Sequence, residues 1–383
     1  MQTDVAPCVK PGALYAHGVS APRPTLSGPD YRSREVFELE RERVFAREWF
    51  YAARGDEAPE PGDWVAVDVA GESVLLVRGS DGELRGFYNV CRHRGSRLCE
   101  AETRGHVKRV IKCPYHAWSY DLDGSLVGTP FVEKDELDRG AFGLWRVHVE
   151  VWQGFTFVSL DEPALPLREW LDQQADKPLQ YEDWHMDELH TARRTVTEVA
   201  ANWKILVENY NECLHCPTVH PELVAVAPAF RKGSVFEEGR EDWGVSIVGG
   251  GVGYTTSGVT AIPVMPGLDE YRASSMYGAT VFPNMFIDLT GTVAIATRLL
   301  PRGPAQTTVV MDYLFRPEVI DSPGFDPTEV VDFSELVARQ DYDVCERAQL
   351  GVSSRAFDHG VYVEKDELAH NFSRRYLAAR DRP

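Results

Sequence analysis

The spacing of apolar positions changes twice along this chain, and each change marks a different kind of element. Residues 1 to about 30 are rich in Pro, Gly and Ala and read as a loosely held arm. Over residues 33–52 apolar side chains recur at helical spacing among many charges, which predicts an amphipathic helix. The period then falls to two. Residues 63–68, 73–78 and 84–90 read as strands, with Asp81-Gly82 marking a hairpin turn and Asp123-Gly124 another. This all-β region ends near residues 151–160, and the proline-containing stretch 161–166 supplies a linker. Beyond it the pattern is α+β: a helix from residue 198 to about 214, strands within 277–300 and 307–316, and a long helix over 326–350. The expected organisation is an N-terminal arm and helix over 1–46 packing on the second domain, a small all-β domain over 47–160, and a larger α+β domain over 161–383.

Composition narrows the function. A chain of 383 residues, 43% of them hydrophobic, has room for two domains and a substantial core. A net charge of −19 argues against nucleic acid and against an anionic membrane surface, because the long-range field repels both, and mildly favours a cationic substrate. No segment reads as a signal peptide or a bilayer span, and the seven cysteines fit a reduced, cytoplasmic setting. Cys213 and Cys216 read as packing residues on a helix. Gly249-Gly-Gly-Val-Gly253 lacks the third glycine and the strand-turn-helix context of a dinucleotide fingerprint, so it reads as a flexible loop. Without a nicotinamide or flavin signature, any electrons the protein uses must come from a separate reductase.

Chemistry enters at Cys91-Arg-His93 and Cys113-Pro-Tyr-His116. Two Cys-plus-His pairs, each closing a short loop, are what a Rieske-type [2Fe–2S] cluster needs: two thiolates for one iron and two imidazoles for the other. A structural zinc site usually sets both cysteines before both histidines, whereas here the order alternates. With their flanks, Cys91-Arg-His-Arg-Gly-Ser-Arg and Cys113-Pro-Tyr-His-Ala-Trp-Ser-Tyr, the loops resemble the Rieske domain of ring-hydroxylating and related non-haem iron oxygenases. Ser96 and Tyr115 stand where respiratory Rieske proteins carry two further, disulfide-bonded cysteines, which implies a lower potential and delivery of electrons to an oxygenase iron. Two departures are a longer stretch between Arg94 and Lys112, read as an extended hairpin around Thr103-Arg-Gly105, and Ala117 in place of the commoner glycine, which is expected to be tolerated.

The segment from Asn202 to Pro221 is the second anchor. Glu212, His215 and His220 offer two histidines close in sequence, which with one distant carboxylate make the facial triad of a non-haem Fe(II) oxygenase. Pro217 is expected to break the helix so that His220 turns back toward the metal. The resemblance to the oxygenase α subunit then covers nearly the whole chain. It implies a helix-grip-like catalytic domain on an antiparallel sheet, a third ligand at Asp341 with Asp343 in reserve, and Glu346 and Gln349 completing the family pattern. It also implies that Glu212 bridges His116 to His215 across a subunit boundary in a head-to-tail homotrimer, while Asn209 and Tyr210 either line the iron pocket or serve structure.

The function implied is that of a terminal oxygenase. It would take electrons from a separate NAD(P)H-dependent flavin/iron–sulfur reductase and activate O₂ at Fe(II) to hydroxylate or N-demethylate a small substrate. Glu212 and the run from Asn202 resemble the branch acting on quaternary ammonium compounds (glycine betaine, choline, carnitine, stachydrine), for which Tyr254, Tyr277, Phe282 and Phe286 are available as an aromatic cage. The competing readings are hydroxylation, dihydroxylation or O-demethylation of an aromatic compound, and a Rieske electron-transfer or binding protein without oxygenase activity.

Overall fold

The computed structural model describes residues 22–382, apart from Ala70, Lys134, Ala164 and residues 175–176. The first 21 residues of the expected arm lie outside the described residues. The chain divides into two compact units, one spanning Arg41–Leu167 and the other joining Arg168 onward to the N-terminal segment that ends at Glu40.

The Arg41–Leu167 unit is built on a seven-stranded antiparallel sheet. In spatial order its strands are Phe50–Arg54, Phe155–Ser159, Arg146–Trp152, Leu84–Tyr88, Glu72–Arg78, Asp63–Val69 and Arg104–His106. A three-stranded sheet, Val110–Lys112, Ser119–Asp121 and Leu126–Gly128, completes it. Leu75, Phe87, Trp118 and Tyr120 form the core, with Cys91 and Cys113 among them. Both predicted turns form. At the second, Gly124 takes φ +86°, and a Cβ there would lie 2.4 Å from the Phe87 ring, so only glycine fits.

Two expectations are corrected here. The helix predicted over 33–52 runs as Arg34–Glu40 and a wide turn Arg41–Phe45, and Phe50–Arg54 is a strand. All five residues of that strand are buried, and its apolar run Phe50-Tyr-Ala-Ala53 carries no period to separate strand from helix. Thr103-Arg-Gly105 is not a hairpin tip: Arg104 and Gly105 pair with Val65 and Trp64 at the edge of the sheet.

The second unit carries a six-stranded antiparallel sheet in the order His190–Val199, Gln306–Phe315, Ala294–Gly303, Met285–Leu289, Ser275–Val281, Val245–Ser246. The helices Trp203–Tyr210 and Thr328–Val352 pack with it, and Glu367–Arg380 packs on Trp203–Tyr210. Residues 190–199, which overlap the start of the predicted helix, form a strand. The helix begins only after Asn202, whose side chain accepts from Lys204 N at 3.0 Å. Glu346 accepts from Ala200 N and Gln349 from Asn202 N, so the long helix fixes where the shorter one starts. Among the described residues, no helix is long and apolar enough to cross a membrane.

A buried polar cluster anchors the N-terminal segment. Glu40 accepts from Lys204 Nζ at 2.5 Å, Tyr376 Oη at 2.7 Å and Trp203 Nε1 at 2.9 Å, and both charged side chains have no exposed surface. Beside it Glu208 accepts from the Tyr31 and Tyr362 hydroxyls, and burial pushes its carboxyl up to about 7. These bonds hold the helix that leads into the histidine segment. Removing one member of a buried pair strands the other charge. Lys204→Ala is therefore expected to cost roughly 3–5 kcal/mol in denaturant unfolding. The Glu40→Gln/Lys204→Met pair should lose clearly less than the sum of its single changes.

Candidate active site

In the Arg41–Leu167 unit the two Cys/His loops grow out of strand ends. The first is closed by Cys91 N donating to Ser96 O at 2.8 Å, the second by Cys113 N donating to Trp118 O at 2.8 Å. Both thiols are buried and free, and Tyr120 Oη lies 3.2 Å from Cys91 Sγ. His93 is exposed and His116 half-buried, with ring centroids 4.6 Å apart and Trp118 stacked on His93. Two thiols inside and two imidazoles toward solvent fit the donor set that a [2Fe–2S] cluster of the Rieske type would need. Ala117 takes φ +58°, the left-handed conformation a glycine would adopt there without cost. Tyr115 is exposed and stacks on His116.

In the other unit, Asn209, Glu212, His215, His220 and Asp341 line one cavity. The helix ends at Tyr210, earlier than expected, and Glu212 and His215 lie in the turn that follows. Pro217 does not break a helix but sits in the first turn of a new one, Cys216–Val219. His220 stands between that helix and the next, Pro221–Val226, with φ −119° and ψ 64°. Two short helices, each opened by a proline, therefore turn both imidazoles toward one point. Asp341 reaches the same point from the long helix, its Oδ1 lying 3.2 Å from His215 Nε2 and 2.9 Å from His220 Nε2. Asp343, two positions on, is exposed.

The outer nitrogens fix both rings. His215 Nδ1 donates to Glu212 Oε1 at 2.6 Å, and Leu214 N donates to Glu212 Oε2. His220 Nδ1 donates to Gln340 Oε1 at 2.8 Å, and Gln340 Nε2 donates to Glu222 at 2.9 Å. With the proton on Nδ1 in each ring, both Nε2 atoms can coordinate a metal. Two imidazole nitrogens and one carboxylate oxygen on a shared face fit mononuclear iron. Asn209 Nδ2 lies 3.5 Å from His215 Nε2, beside that position. Burial lowers the His215 pKa, but the hydrogen bonds of Asp341 and Glu212 overcome it and hold the imidazole up at about 9, while Asp341 stays below its ordinary value. The metal-free site is thus an imidazolium–carboxylate pair.

Three features escaped the sequence reading. Gln340 orients His220, yet nothing in the sequence sets it apart from other polar helix residues. Cys213 and Cys216 are buried and pack against Val224 as expected, with Cys216 opening the helix Cys216–Val219, but they are not free thiols. They close a disulfide around the turn carrying His215, which occupies the Cys216 sulfur that otherwise stands within 4.8 Å of both imidazoles. Asp288 lines the cavity from the strand Met285–Leu289, where a lone acid in an apolar strand was the available signal. Of the aromatic residues proposed for a cage, Tyr254, Tyr277 and Phe286 line the cavity of about 210 Å³, whereas Phe282 packs with Trp203 and Phe372 in the core.

The Rieske [2Fe-2S] domain model matches residues 48–151, and the catalytic domain of the ring hydroxylating alpha subunit matches residues 164–380. The glycine betaine monooxygenase oxygenase subunit of Chromohalobacter salexigens is 30% identical over 90% of this chain and 83% of its own. The carnitine monooxygenase oxygenase subunit of Acinetobacter pittii is 41% identical over 50% of this chain and 51% of its own, so that likeness spans about half of each. A solved quaternary ammonium Rieske monooxygenase, described for carnitine oxidation by gut microbiota and inter-subunit electron transfer, superimposes with a TM-score of 0.74. It is 26% identical, over 94% of this chain and 95% of that one.

The pair of charges in the metal-free site has a measurable consequence. Because His215 must lose a proton before its Nε2 can coordinate, Fe(II) affinity of the metal-free protein should rise with pH. An anaerobic competition titration should find about tenfold per pH unit between 6.5 and 8, levelling near 9. A flat profile would contradict the charge assignment.

Proposed function

This chain belongs to the family of Rieske ring-hydroxylating oxygenase α subunits, and on that premise we propose that it is a terminal oxygenase for a small quaternary-ammonium substrate. The [2Fe–2S] cluster is held by Cys91, His93, Cys113 and His116, and the mononuclear iron by His215, His220 and Asp341. Bound there, the two centres supply the electrons and the activation of O₂ by which oxygen enters a C–H bond. An N-methyl group hydroxylated in this way becomes a carbinolamine, which releases formaldehyde and leaves the demethylated amine.

The observation that carries the reading is the meeting of two Nε2 atoms and one carboxylate oxygen at the wall of a cavity lined by aromatic side chains. Glu212 and Gln340 hold the Nδ1 protons of His215 and His220, so that once His215 gives up its second proton both Nε2 atoms face the metal position. Tyr254 and Phe286 offer aromatic surface to a methylammonium, while Tyr277, which also lines the cavity, carries Arg240 over its ring. The relatives named for glycine betaine and carnitine support the same substrate class.

Electrons come from a separate flavin/iron–sulfur reductase using NAD(P)H, in the cytoplasm. In a homotrimer Glu212 would link His215 to His116 of the partner subunit and couple the cluster of one chain to the iron of the next. The inter-subunit electron transfer described for the solved relative supports this arrangement.

One single-turnover experiment tests the function. Prereduced enzyme meets O₂ with a pool of trimethylammonium compounds, and in parallel with aromatics lacking N-methyl and methoxy groups. Formaldehyde from the first pool is expected; hydroxylated ring products alone would make this an aromatic hydroxylase. His220→Ala should lose about one iron per chain while keeping the cluster absorbance. Glu212→Gln should keep both metals and slow turnover about 10–100-fold.

A further inference from the structure

Three acidic side chains from the helical segments and the sheet line the cavity, and two of them are accounted for. Glu212 holds His215, and Asp341 faces both histidines. Asp288 is different. It projects from the strand Met285–Leu289, two positions from Phe286 and so on the same face of the sheet. Its Oδ1 accepts from the Tyr210 hydroxyl at 2.8 Å, and no donor reaches Oδ2 among the described residues. No lysine or arginine is among the described residues that line the cavity. A carboxylate withdrawn from bulk water with one neutral hydrogen-bond donor is far from compensated. Burial accordingly pushes its carboxyl up to about 7, against the Tyr210 hydrogen bond that draws it down.

The surroundings are shaped for this carboxylate. Gly278 lies directly across the sheet from Asp288. A Cβ at that glycine would come within 2.9 Å of the Tyr210 hydroxyl and 3.8 Å of Asp288 Oδ1, so its missing side chain leaves the space the Tyr210–Asp288 pair occupies. The Tyr210 ring lies flat against Phe286, with centroids 4.1 Å apart and planes 1° from parallel. One wall of the cavity thus presents a carboxylate beside two aromatic rings, the chemistry that receives a methylated ammonium.

We infer that Asp288 is the charge anchor of the substrate pocket, and that with no lysine or arginine among the described residues of its lining the pocket selects a cationic methylamine without a carboxylate over a zwitterionic betaine. The inference rests on the quaternary-ammonium reading above and narrows it. Away from the His215, His220 and Asp341 cluster, a betaine would place its own carboxylate beside Asp288 with no lysine or arginine in the described lining to pair it, a like-charge contact made in low dielectric. A choline-like cation meets the opposite charge and carries only a hydroxyl, which neutral groups such as Thr297 or Tyr342 in the lining can satisfy. The relatives named for glycine betaine and carnitine act on carboxylate-bearing compounds, so this chain is assigned a different member of the class.

The test is equilibrium binding to the iron-loaded holoenzyme by calorimetry, with three probes of similar size: choline, its uncharged isostere 3,3-dimethylbutan-1-ol, and glycine betaine. Wild type should bind choline about tenfold or more tightly than either other probe. Asp288→Asn should weaken choline by about tenfold or more and leave the uncharged isostere within about twofold, which erases the preference for charge. An unchanged choline affinity in Asp288→Asn overturns the anchor, as does wild type binding glycine betaine as tightly as choline. Should the variant not fold, the wild-type ranking alone decides. In either overturning case, formaldehyde release from a trimethylammonium pool leaves the broader reading standing. Loss of binding for both ammonium probes, with no formaldehyde from that pool, removes the two together.

Discussion

Everything in the Arg168-onward unit is arranged around the meeting of His215, His220 and Asp341 at one point. Without a metal those atoms form a close cluster of imidazole and carboxylate, in which Asp341 and Glu212 favour a protonated His215 and Asp341 is held below its ordinary value. With a divalent ion at that point the same geometry becomes a three-ligand face with the opposite side left open. No regular helix can deliver two imidazoles five residues apart to such a face. The chain does it by ending one helix at Tyr210 and starting two short ones, each with a proline in its first turn, so that both histidines fall at junctions. The buried Glu40–Lys204 pair and the Gln349–Asn202 bond then fix where the preceding helix begins.

Orientation is shared between two kinds of partner. Glu212 brings charge to His215, and Gln340 brings a neutral carbonyl to His220. The two partners act differently: a carboxylate on Nδ1 raises the basicity of its ring, while an amide sets direction alone. On the far side of the cavity the sheet contributes shape and charge through Phe286, Gly278 and Asp288, so ligand placement and substrate selection belong to different elements of one unit.

Much of this was legible in the sequence because the chemistry is carried by rare residues at short spacing. Cys91, His93, Cys113 and His116 stand out through their alternating order and short loops, and the structure places them as two buried thiols and two outer imidazoles. His215 and His220 were found by spacing, whereas Asp341 was reached only through resemblance, since an acid on a long helix is commonplace. The misreadings share one cause. Residues 50–54 and 198–214 are segments in which burial on all sides, or a cap and a turn, decides the structure, and neither leaves a clean period. The Cys213–Cys216 bond and the Gln340 contact depend on a backbone path that the sequence pattern did not resolve.

The most direct test of the central claim is diffraction from crystals of the as-isolated enzyme, recorded on both sides of the iron absorption edge. The account predicts an anomalous peak about 2 Å from His215 Nε2, His220 Nε2 and an Asp341 oxygen, together with a separate double peak among Cys91, His93, Cys113 and His116. A peak at the second place alone, or an iron held by the Cys216 sulfur with Asp341 turned away, would contradict it.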